Sequence, residues 1–535
     1  MKKSCFKKYS SSIFLFTFLL CLNISANTAF TGIRGWTTLQ ITADMGTGIN
    51  LTNTLDAQYN ETYWGNPRAS LALITAWKKS GFKTLRIPVT WQDHLGKAPN
   101  YTIDPVWLAR VEEVANYAFT NDMYVIIDAH HEAWYQPLAS NDSVARDKLT
   151  KVWTQIANRF KNYGDYLILE TMNEPRVFNA PDEWSGGNAQ SRALINKFNL
   201  AAVNAIRNTG GNNEKRCILI PTYGANGGTN AINDLVIPNN DSLVIVSIHN
   251  YAPYSFCLQV PGTSTWGTTT DKNELTTFFN MIYDKFIKSG RAVVLGEWGA
   301  EYKNNTPSLI TYYDFYANGA KSKQIATANW INTFDRNKLT WGQPIVTEAM
   351  VNPFKTNFVP VAGINLNTTT ITIHPGDTIS LTPTIAPVNV TSNSVFWTSS
   401  NNGIATVSAK GLVKGLIKGT ATITATAIGK TTTCKVTIAD FPSGTTNVET
   451  EKGLTIYPNP FTSSTTIQFQ TDSNSLGSLK VFDQTGRKVA TLINGVIPSG
   501  IHQAEFDGSR LSGGIYFYKL QTGNHSRTGK MILTK

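Results

Sequence analysis

The chain has 535 residues, which is too long for one ordinary hydrophobic core and predicts two to four domains. Hydrophobic residues make up 41% of it and charged residues 16%, which excludes an intrinsically disordered protein. The formal net charge is +11, but no run of Lys and Arg with interleaved aromatic residues lies beyond the N-terminus, so we expect no nucleic-acid partner.

The N-terminal residues predict a signal peptide over residues 1–26. A basic segment runs from Lys2 to Lys8, and the apolar segment at 13–22 is too short to span a bilayer. Small residues near Ser25 and Ala26 offer a cleavage site. We therefore expect a secreted protein.

Short apolar segments alternate with helical patterns from about residue 45 to 335. The predicted strands are 46–51, 84–88, 124–129, 167–171, 217–222, 243–249, 292–297 and 325–330. Runs such as VIID and VVLG are apolar throughout, which is typical of strands covered on both faces. Eight strands with helical patterns between them, such as 106–121 and 191–209, predict an α/β fold, a (β/α)8 TIM barrel within 27–355. A doubly wound open sheet is the structural alternative, but no Gly-rich nucleotide loop follows the first strand.

The composition changes after about residue 355. Residues 360–440 are rich in Thr, Ser, Val and Ile and alternate as in TATITATA, which predicts a small β-sandwich. Residues 441–453 contain Pro, Gly, Ser and Thr and predict a linker. Residues 454–535 form a second β-rich segment with turns at PNP, QTG and SGG. We expect two small all-β domains after the barrel.

Polar residues gather at the predicted carboxyl ends of the barrel strands, where barrel enzymes hold their functional residues. They are Arg86, His130, His131, Asn173, Glu174, His249, Tyr251, Glu297 and Trp330. Two carboxylates at one rim suit cleavage of a glycosidic bond, since one can protonate the leaving oxygen while the other attacks the anomeric carbon. We expect Arg86 to favour the ionised form of Glu297, and apolar and negative surroundings to raise the pKa of Glu174.

The remaining rim residues have roles that fit this chemistry. Asn173 can bond the sugar 2-hydroxyl, Tyr251 can hold the nucleophile's oxygen, and Trp330 can stack beneath the reacting sugar. The chemistry needs no cofactor and no metal, and the sequence has neither Cys/His zinc spacing nor an Asp-rich calcium loop.

Several stretches resemble glycoside hydrolase family 5, a clan A family of retaining enzymes. They are LRIPVTW (85–91), DAHHE (128–132), NEP (173–175), HNY (249–251) and GEWGA (296–300). GINLTNTLDA (48–57), TYWGNP (62–67) and RCILIPTYGA (216–225) are similar to subfamily 4, which is mainly endoglucanases, xyloglucanases and mixed-linkage glucanases, with some xylanases. The resemblance implies Glu174 as acid/base and Glu297 as nucleophile. The shell that it implies is Arg86, His130, Asn173, His249, Tyr251 and Trp330, with His131 as the subfamily's extra imidazole.

The resemblance also places Trp64, Trp134 and Trp184 on rim loops, where they either line glucan subsites or simply pack. Thr52 stands where the subfamily usually has Gly. Ile331 stands where an Asp is expected beside the last-strand Trp. Both departures lie near the cleft and bear on subsite specificity.

The two later segments resemble known modules. IATVSAKGLVKGLIKGTATITATA, within 360–440, is similar to bacterial Ig-like domains of group 2. IYPNPFTSSTTIQF, LKVFDQTGRKV and LSGGIYFYKLQTG resemble the C-terminal sorting domain of the Bacteroidetes type IX secretion system. This implies a Gram-negative source, the secretion machinery as a partner, and an extracellular or surface-attached product. Glycan binding by the first module, or a carbohydrate-binding sandwich for the second, are the alternatives.

Together these features predict a secreted retaining endo-β-1,4-glucanase that acts as a monomer on β-glucan. The same chemistry on xyloglucan, mixed-linkage glucan, xylan or mannan is one alternative. A non-catalytic surface glycan-binding protein is an alternative of another class. The presence of both glutamates with their surrounding shell argues against the latter.

Overall fold

The computed structural model describes residues 31–440, 454–523 and 525–535. The predicted signal peptide and linker lie outside these residues. The chain divides into two compact units, Met1–Ala439 and Asp440–Lys535. No helix among the described residues is long and apolar enough to cross a membrane.

Eight parallel strands close into a barrel in chain order, which confirms the predicted fold class. They are β1 (Thr47–Asn50), β2 (Thr84–Ile87), β3 (Tyr124–Asp128), β4 (Leu167–Glu170), β5 (Ile218–Asn226), β6 (Val244–His249), β7 (Val293–Glu297) and β8 (Ala326–Asn329). The predicted ends agree within two residues except at β5, which continues to Asn226. Its register against β6 is irregular between Pro221 and Asn226, so an apolar run alone does not mark where it ends.

Ten α-helices among the described residues accompany the barrel. They are α1 (Thr38–Met45), α2 (Leu71–Ser80), α3 (Pro105–Thr120), α4 (Asp142–Arg159), α5 (Ala189–Asn208), α6 (Thr229–Asn233), α7 (Tyr254–Cys257), α8 (Thr269–Lys285), α9 (Thr306–Ser322) and α10 (Pro344–Val351). The start of α3 shows the local cause, because Asp104 accepts the Val106 N–H at 2.8 Å and Pro105 occupies the first turn.

Helix α1 closes the end of the barrel where the strands begin. Its Ile41 and Met45 share a buried cluster with Ile126 of β3 and Ile168 of β4. Because this end is filled with apolar side chains, polar chemistry is left to the opposite end, where the strands finish.

The chain continues after β8 as a hairpin, β9 (Phe334–Asp335) and β10 (Thr340–Trp341), and then as an all-β segment. Its strands are β11 (Gly363–Leu366), β12 (Thr370–Ile373), β13 (Thr378–Ser380), β14 (Pro383–Ala386), β15 (Phe396–Ser399), β16 (Ala405–Val407), β17 (Leu412–Gly415), β18 (Gly419–Ala427) and β19 (Lys430–Ile438). They form sheets β11-β14, β12-β19-β18-β15 and β13-β17-β16. Ala421, Ile423 and Ala425 are buried in alternation along β18, as TATITATA predicts.

This all-β segment packs on the barrel. Ile428, just after β18, belongs to the barrel's own hydrophobic cluster and is 7% exposed. Glu348 of α10 accepts hydrogen bonds from the hydroxyls of Ser392 and Ser394, the second at 3.0 Å. The segment is therefore a docked part of the first unit.

The second unit is also all-β, as predicted. Its strands are β20 (Leu454–Tyr457), β21 (Ser464–Thr471), β22 (Ser475–Phe482), β23 (Lys488–Ile497), β24 (Gly500–Asp507), β25 (Gly514–Thr522) and β26 (His525–Leu533). They form two sheets, β20-β21-β24 and β23-β22-β25-β26, around a core that includes Phe469, Leu479 and Met531.

Candidate active site

Polar side chains lie inside the carboxyl end of the barrel, because side chains alternate between the two faces of a strand and every second one points inward. In β3, Val125 and Ile127 pack in the cluster shared with the surrounding helices, whereas Ile126 packs inside the barrel. Asp128 and His130 continue the inward series, and both are buried. The inward face of β3 therefore changes from apolar to polar towards its carboxyl end.

Arg86 on β2 is the centre of this polar interior, and its side chain is 0% exposed. Its nitrogens contact five acceptors: Glu170 Oε2 and Asp128 Oδ2 at 2.7 Å, Asn173 Oδ1 at 2.8 Å, Asn50 Oδ1 at 3.0 Å and Glu297 Oε1 at 3.1 Å. A buried guanidinium is tolerated when its donors are paired in this way. It thereby fixes three acidic side chains around one cation.

Glu174, which follows β4, and Glu297, at the end of β7, face each other beside His249. The Nδ1 atom of His249 lies 2.8 Å from Glu174 Oε1 and 3.7 Å from Glu297 Oε2. One oxygen of each carboxylate and this nitrogen all lie within 4.8 Å of one another. Glu297 also accepts from Arg86 at 3.1 Å and from the Tyr251 hydroxyl at 2.9 Å.

Burial raises the pKa of both glutamates, to about 7 in each case. Two neighbouring carboxyls withdrawn from water favour a state that shares one proton between them. The donors Arg86 and Tyr251 stabilise the charge on Glu297 and lower its pKa. Arg86 thus acts on Glu297 in the predicted direction, but burial outweighs it and the net pKa lies above the ordinary value.

Glu297 enters the interior through an irregularity in β7. The ladder between β6 and β7 pairs Ile248 with Leu295 and then His249 with Glu297, so Gly296 is skipped. Gly296 also lies against the imidazole, because a Cβ added there would be 2.9 Å from His249 Nε2. The close approach of ring and backbone requires Gly at this position.

The predicted imidazoles and the last-strand Trp stack together. His130 Nδ1 lies 2.8 Å from Asp128 Oδ2, and its Nε2 lies 3.3 Å from Asn173 Nδ2. The rings of His130 and Trp330 are parallel with centroids 5.4 Å apart, and His131 meets His130 edge-on at 4.5 Å. Burial lowers the pKa of His130 well below its usual value, so the ring is neutral.

A pocket of about 310 Å³ adjoins this network, with His131 and Glu174 in its wall. Trp64 also lines it, is 40% exposed and meets His131 edge-on at 5.6 Å. Trp134 is half-buried, and its indole N–H donates to the buried carboxylate of Glu132. Trp64 therefore offers a free ring surface to a ligand, whereas Trp134 is tied into the loop.

Trp184 is the most exposed of the three rim tryptophans, at 57%, and lies on Arg176, whose guanidinium carbon is 4.0 Å from the ring centroid.

The sequence did not identify Arg176 as a site residue, because no motif or periodicity in a single sequence marks it. Its Nη1 lies 3.6 Å from Glu174 Oε2. The sequence also did not identify Asp128 and Glu170 as partners of the central guanidinium. Their signal was a charged residue on the inward face of a strand that is otherwise apolar.

The two departures from the subfamily pattern have structural partners. The carbonyl and hydroxyl of Thr52 both accept from Arg336 Nη2, at 2.8 Å and 3.1 Å. The Ile331 carbonyl accepts from the Tyr313 hydroxyl at 2.9 Å. Each residue is thus held by a contact that its backbone or hydroxyl makes.

Two groups of side chains in the described ranges bring possible metal ligands together. They are Asp56, His130 and His131, and Glu174, His249 and Glu297. In the second group the guanidinium of Arg86 already pairs with Glu297, and its positive charge opposes a bound cation. This donor set suits proton transfer and nucleophilic attack better than metal binding.

Comparison with known families finds three matches along the chain. Residues 45–336 match the model described as cellulase (glycosyl hydrolase family 5). Residues 360–437 match the bacterial Ig-like domain (group 2), and residues 455–534 match the secretion system C-terminal sorting domain. The last match indicates secretion by the type IX system of Bacteroidetes.

Individual relatives match over the barrel. Endoglucanase B of Clostridium cellulovorans is 49% identical over 351 residues, which cover 63% of this chain and 80% of that protein. Cellulase/esterase CelE of Acetivibrio thermocellus is 48% identical, covering 60% of this chain and 41% of that protein. The solved structure of a GH5-4 broad specificity endoglucanase from Clostridium acetobutylicum is 50% identical, covers 59% of this chain and 100% of that one, and has a TM-score of 0.59.

Proposed function

The chain belongs to glycoside hydrolase family 5, and from this premise we propose that it is a retaining endo-β-1,4-glucanase in which Glu297 is the nucleophile and Glu174 the acid/base. The observation that carries the proposal is the close approach of the two carboxylates: one oxygen of each lies within 4.8 Å of the other, which fits the shorter of the two carboxyl separations that glycosidases use. Retaining enzymes hold their carboxyl groups about 5–5.5 Å apart, whereas inverting enzymes leave about 6.5–9.5 Å for a water molecule.

In the first step Glu297 attacks the anomeric carbon while Glu174 gives its proton to the leaving glycosidic oxygen. The glycan chain on the leaving side departs, and a covalent glycosyl–enzyme ester forms on Glu297. The two donors on Glu297, Arg86 at 3.1 Å and Tyr251 at 2.9 Å, keep it ionised before the attack. They also hold the carboxylate in one orientation, so that it is already aligned for attack when the substrate binds.

In the second step Glu174, now ionised, takes a proton from water as the water oxygen attacks the anomeric carbon; the bond from that carbon to Glu297 breaks, and the Glu297 carboxylate is released. The configuration at that carbon is inverted twice and so retained. Asn173 bonds the sugar 2-hydroxyl and Trp330 forms the platform under the reacting ring. His249, which is buried and neutral because burial lowers its pKa, links the two glutamates without adding a charge.

We infer a β-1,4-glucan substrate from two exposed rings, Trp64 in the pocket wall and Trp184 against Arg176, which is itself a wall residue. Trp64 and Trp184 expose 40% and 57% of their surface, and flat rings of this kind stack on the apolar faces of glucosyl units. The named relatives are an endoglucanase and a cellulase/esterase, and the similar structure is of an endoglucanase of broad specificity. Xyloglucan, mixed-linkage glucan, xylan and mannan remain the alternative substrates.

The test is release of reducing sugar from carboxymethylcellulose, barley β-glucan, xyloglucan, xylan and mannan. Wild type, Glu297→Ala and Glu174→Ala are compared, with the exposed Glu214→Ala as matched control. We expect only wild type and the control to release sugar. Glu174→Ala should still cleave a dinitrophenyl cellobioside, whose leaving group needs no acid, whereas Glu297→Ala should not. Hydrolysis by Glu297→Ala contradicts the nucleophile assignment.

The same panel of glycans distinguishes a hydrolase from a non-catalytic glycan-binding protein. A surface glycan-binding protein would bind these glycans in affinity electrophoresis and release nothing.

We further propose domain limits of 27–355 for the barrel, 360–440 for the Ig-like domain and 454–535 for the sorting domain. We propose that the protein is a monomer, which light scattering after size exclusion tests directly.

A further inference from the structure

Arg176 is a cation beside the acid/base that the proposed mechanism leaves unused. Its Nη1 donates to the backbone carbonyl of Glu174 at 2.9 Å and lies 3.6 Å from Glu174 Oε2. The other oxygen of that carboxylate faces His249 at 2.8 Å. The carboxyl of Glu174 therefore lies between an imidazole and a guanidinium.

The guanidinium of Arg176 is held from three sides. Its Nε donates to Glu183 Oε1 at 3.0 Å, and its carbon lies 4.0 Å from the ring centroid of Trp184 and 5.0 Å from that of Phe178. The Arg176 side chain is 21% exposed. Planar contacts and a paired donor immobilise a guanidinium far better than a lone surface ion pair does. The cation is thus fixed beside Glu174.

We propose that Arg176 is a positioning residue for the general acid: it holds the Glu174 carboxyl beside His249 and makes its proton easier to release. The inference rests on the proposed function, because it concerns the proton that Glu174 transfers. It adds to that function a residue that controls when the acid/base can change its charge.

The charges that face Glu174 from the other elements explain why an extra cation matters. They are Arg86 on β2, Asp128 on β3, Glu170 on β4, His249 on β6 and Glu297 on β7. Arg86 is already paired with three acids, so little of its charge serves Glu174. Among the acids that the structure describes, Arg176 pairs with one besides Glu174, namely Glu183, whose Oε1 accepts from its Nε at 3.0 Å.

The double-displacement cycle needs this balance because Glu174 must be protonated in one step and ionised in the next. Burial raises its pKa to about 7, and the nearby Arg176 and Arg86 work against that rise. Without Arg176, the buried acid would hold its proton more tightly. Acid catalysis would then persist to higher pH, while ionised Glu174 would be scarcer in the second step.

The test compares Arg176→Met and Arg176→Lys with wild type and with Arg192→Met. Met keeps an unbranched side chain beside the Trp184 and Phe178 rings without the charge, and Lys restores the charge. Arg192 is the matched control because it bonds the carbonyls of Gly186 and Gly187 in the same loop without a bond to Glu174. For Arg176→Met we expect the alkaline limb of kcat/KM against pH to move up by about one unit, the lower end of the shift caused by an adjacent opposite charge. Arg176→Lys and Arg192→Met should keep the wild-type limb.

An unmoved alkaline limb in Arg176→Met, or an equal shift in Arg192→Met, overturns the proposal. So does a rise in KM alone, which would make Arg176 a simple glycan contact. A second readout does not need turnover: the Glu174 carboxyl is titrated by 13C NMR, assigned by difference from Glu174→Gln. A higher pKa in Arg176→Met supports the proposal, and an equal pKa rejects it. Absence of hydrolysis by wild type rejects the proposed function instead, so the two failures are distinguishable.

Discussion

Replacing Arg86 by Met would leave Asp128, Glu170 and Glu297 buried without the guanidinium that lies between them. Asp128 and Glu170 have side chains that are 0% exposed, and Glu297 is 7% exposed. Removing one partner of a buried ion pair costs about 3–5 kcal/mol, because the remaining charge has neither water nor a counter-ion. We therefore expect the free energy of unfolding to fall by about 3–5 kcal/mol at pH 8, a large share of the roughly 5–15 kcal/mol of a typical domain.

The loss should depend on pH in a defined direction. Burial raises the pKa of Asp128 and Glu297 in the folded protein, and removal of Arg86 raises both further. A carboxyl with a raised folded pKa binds its proton more tightly in the folded state, so stability falls as pH rises from the ordinary carboxyl pKa through the folded value. The penalty of Arg86→Met should therefore be smaller at pH 5 than at pH 8.

Urea denaturation followed by Trp fluorescence at the two pH values measures this loss. Arg159→Met is the matched control, because its side chain is 44% exposed and pairs with Glu112 on the surface. The control should lose less than about 1 kcal/mol at either pH. A loss below about 1 kcal/mol at pH 8 for Arg86→Met, or a loss that does not change with pH, would refute the account of the buried network.

Three further expectations follow from contacts described above. Gly296→Ala brings a Cβ within 2.9 Å of His249 Nε2, so kcat should fall at least about tenfold with little change in KM, and unchanged kinetics would contradict the contact. In wild type, kcat/KM should fall as pH rises above about 7, because Glu174 loses the proton that it must donate, and a profile flat to pH 9 would show another acid. Glu348→Ala removes the acceptor of Ser394, so limited proteolysis between the barrel and the Ig-like domain should become faster while glucan hydrolysis stays unchanged; equal proteolysis would count against the docking contact.

The barrel could be predicted from sequence because several strands are short, nearly continuous apolar runs that alternate with helical patterns. The run VIID at residues 125–128 predicted both ends of the third strand to within one residue. A strand that is buried on both faces is apolar along most of its length, so its limits are easy to locate. The predicted end of the fifth strand, residue 222, lies four residues before the observed end at Asn226. Its backbone irregularity at residues 221–226 comes from pairing with the next strand, which hydrophobic periodicity does not record.

The site was predictable where a residue's position along a strand decides its direction. Arg86 and His130 stand on the inward series of their strands, so alternation sends them to the same interior. The role of Arg176 was not predictable, because it depends on Trp184 and Glu183 from a loop without periodic structure. The docking of Ile428 on the barrel was also not predictable. A contact surface between two folded modules produces no hydrophobic periodicity in the sequence of either module.

The docked Ig-like segment changes how the enzyme should be produced in the laboratory. A shortened chain that stops after the barrel would uncover the apolar surface that Ile428 now shields and would leave Glu348 without its two hydroxyl donors. Uncovered apolar patches promote self-association, so such a fragment should express with lower solubility than a chain that continues to Ala439. The smallest well-behaved catalytic unit is then larger than the segment that carries the chemistry.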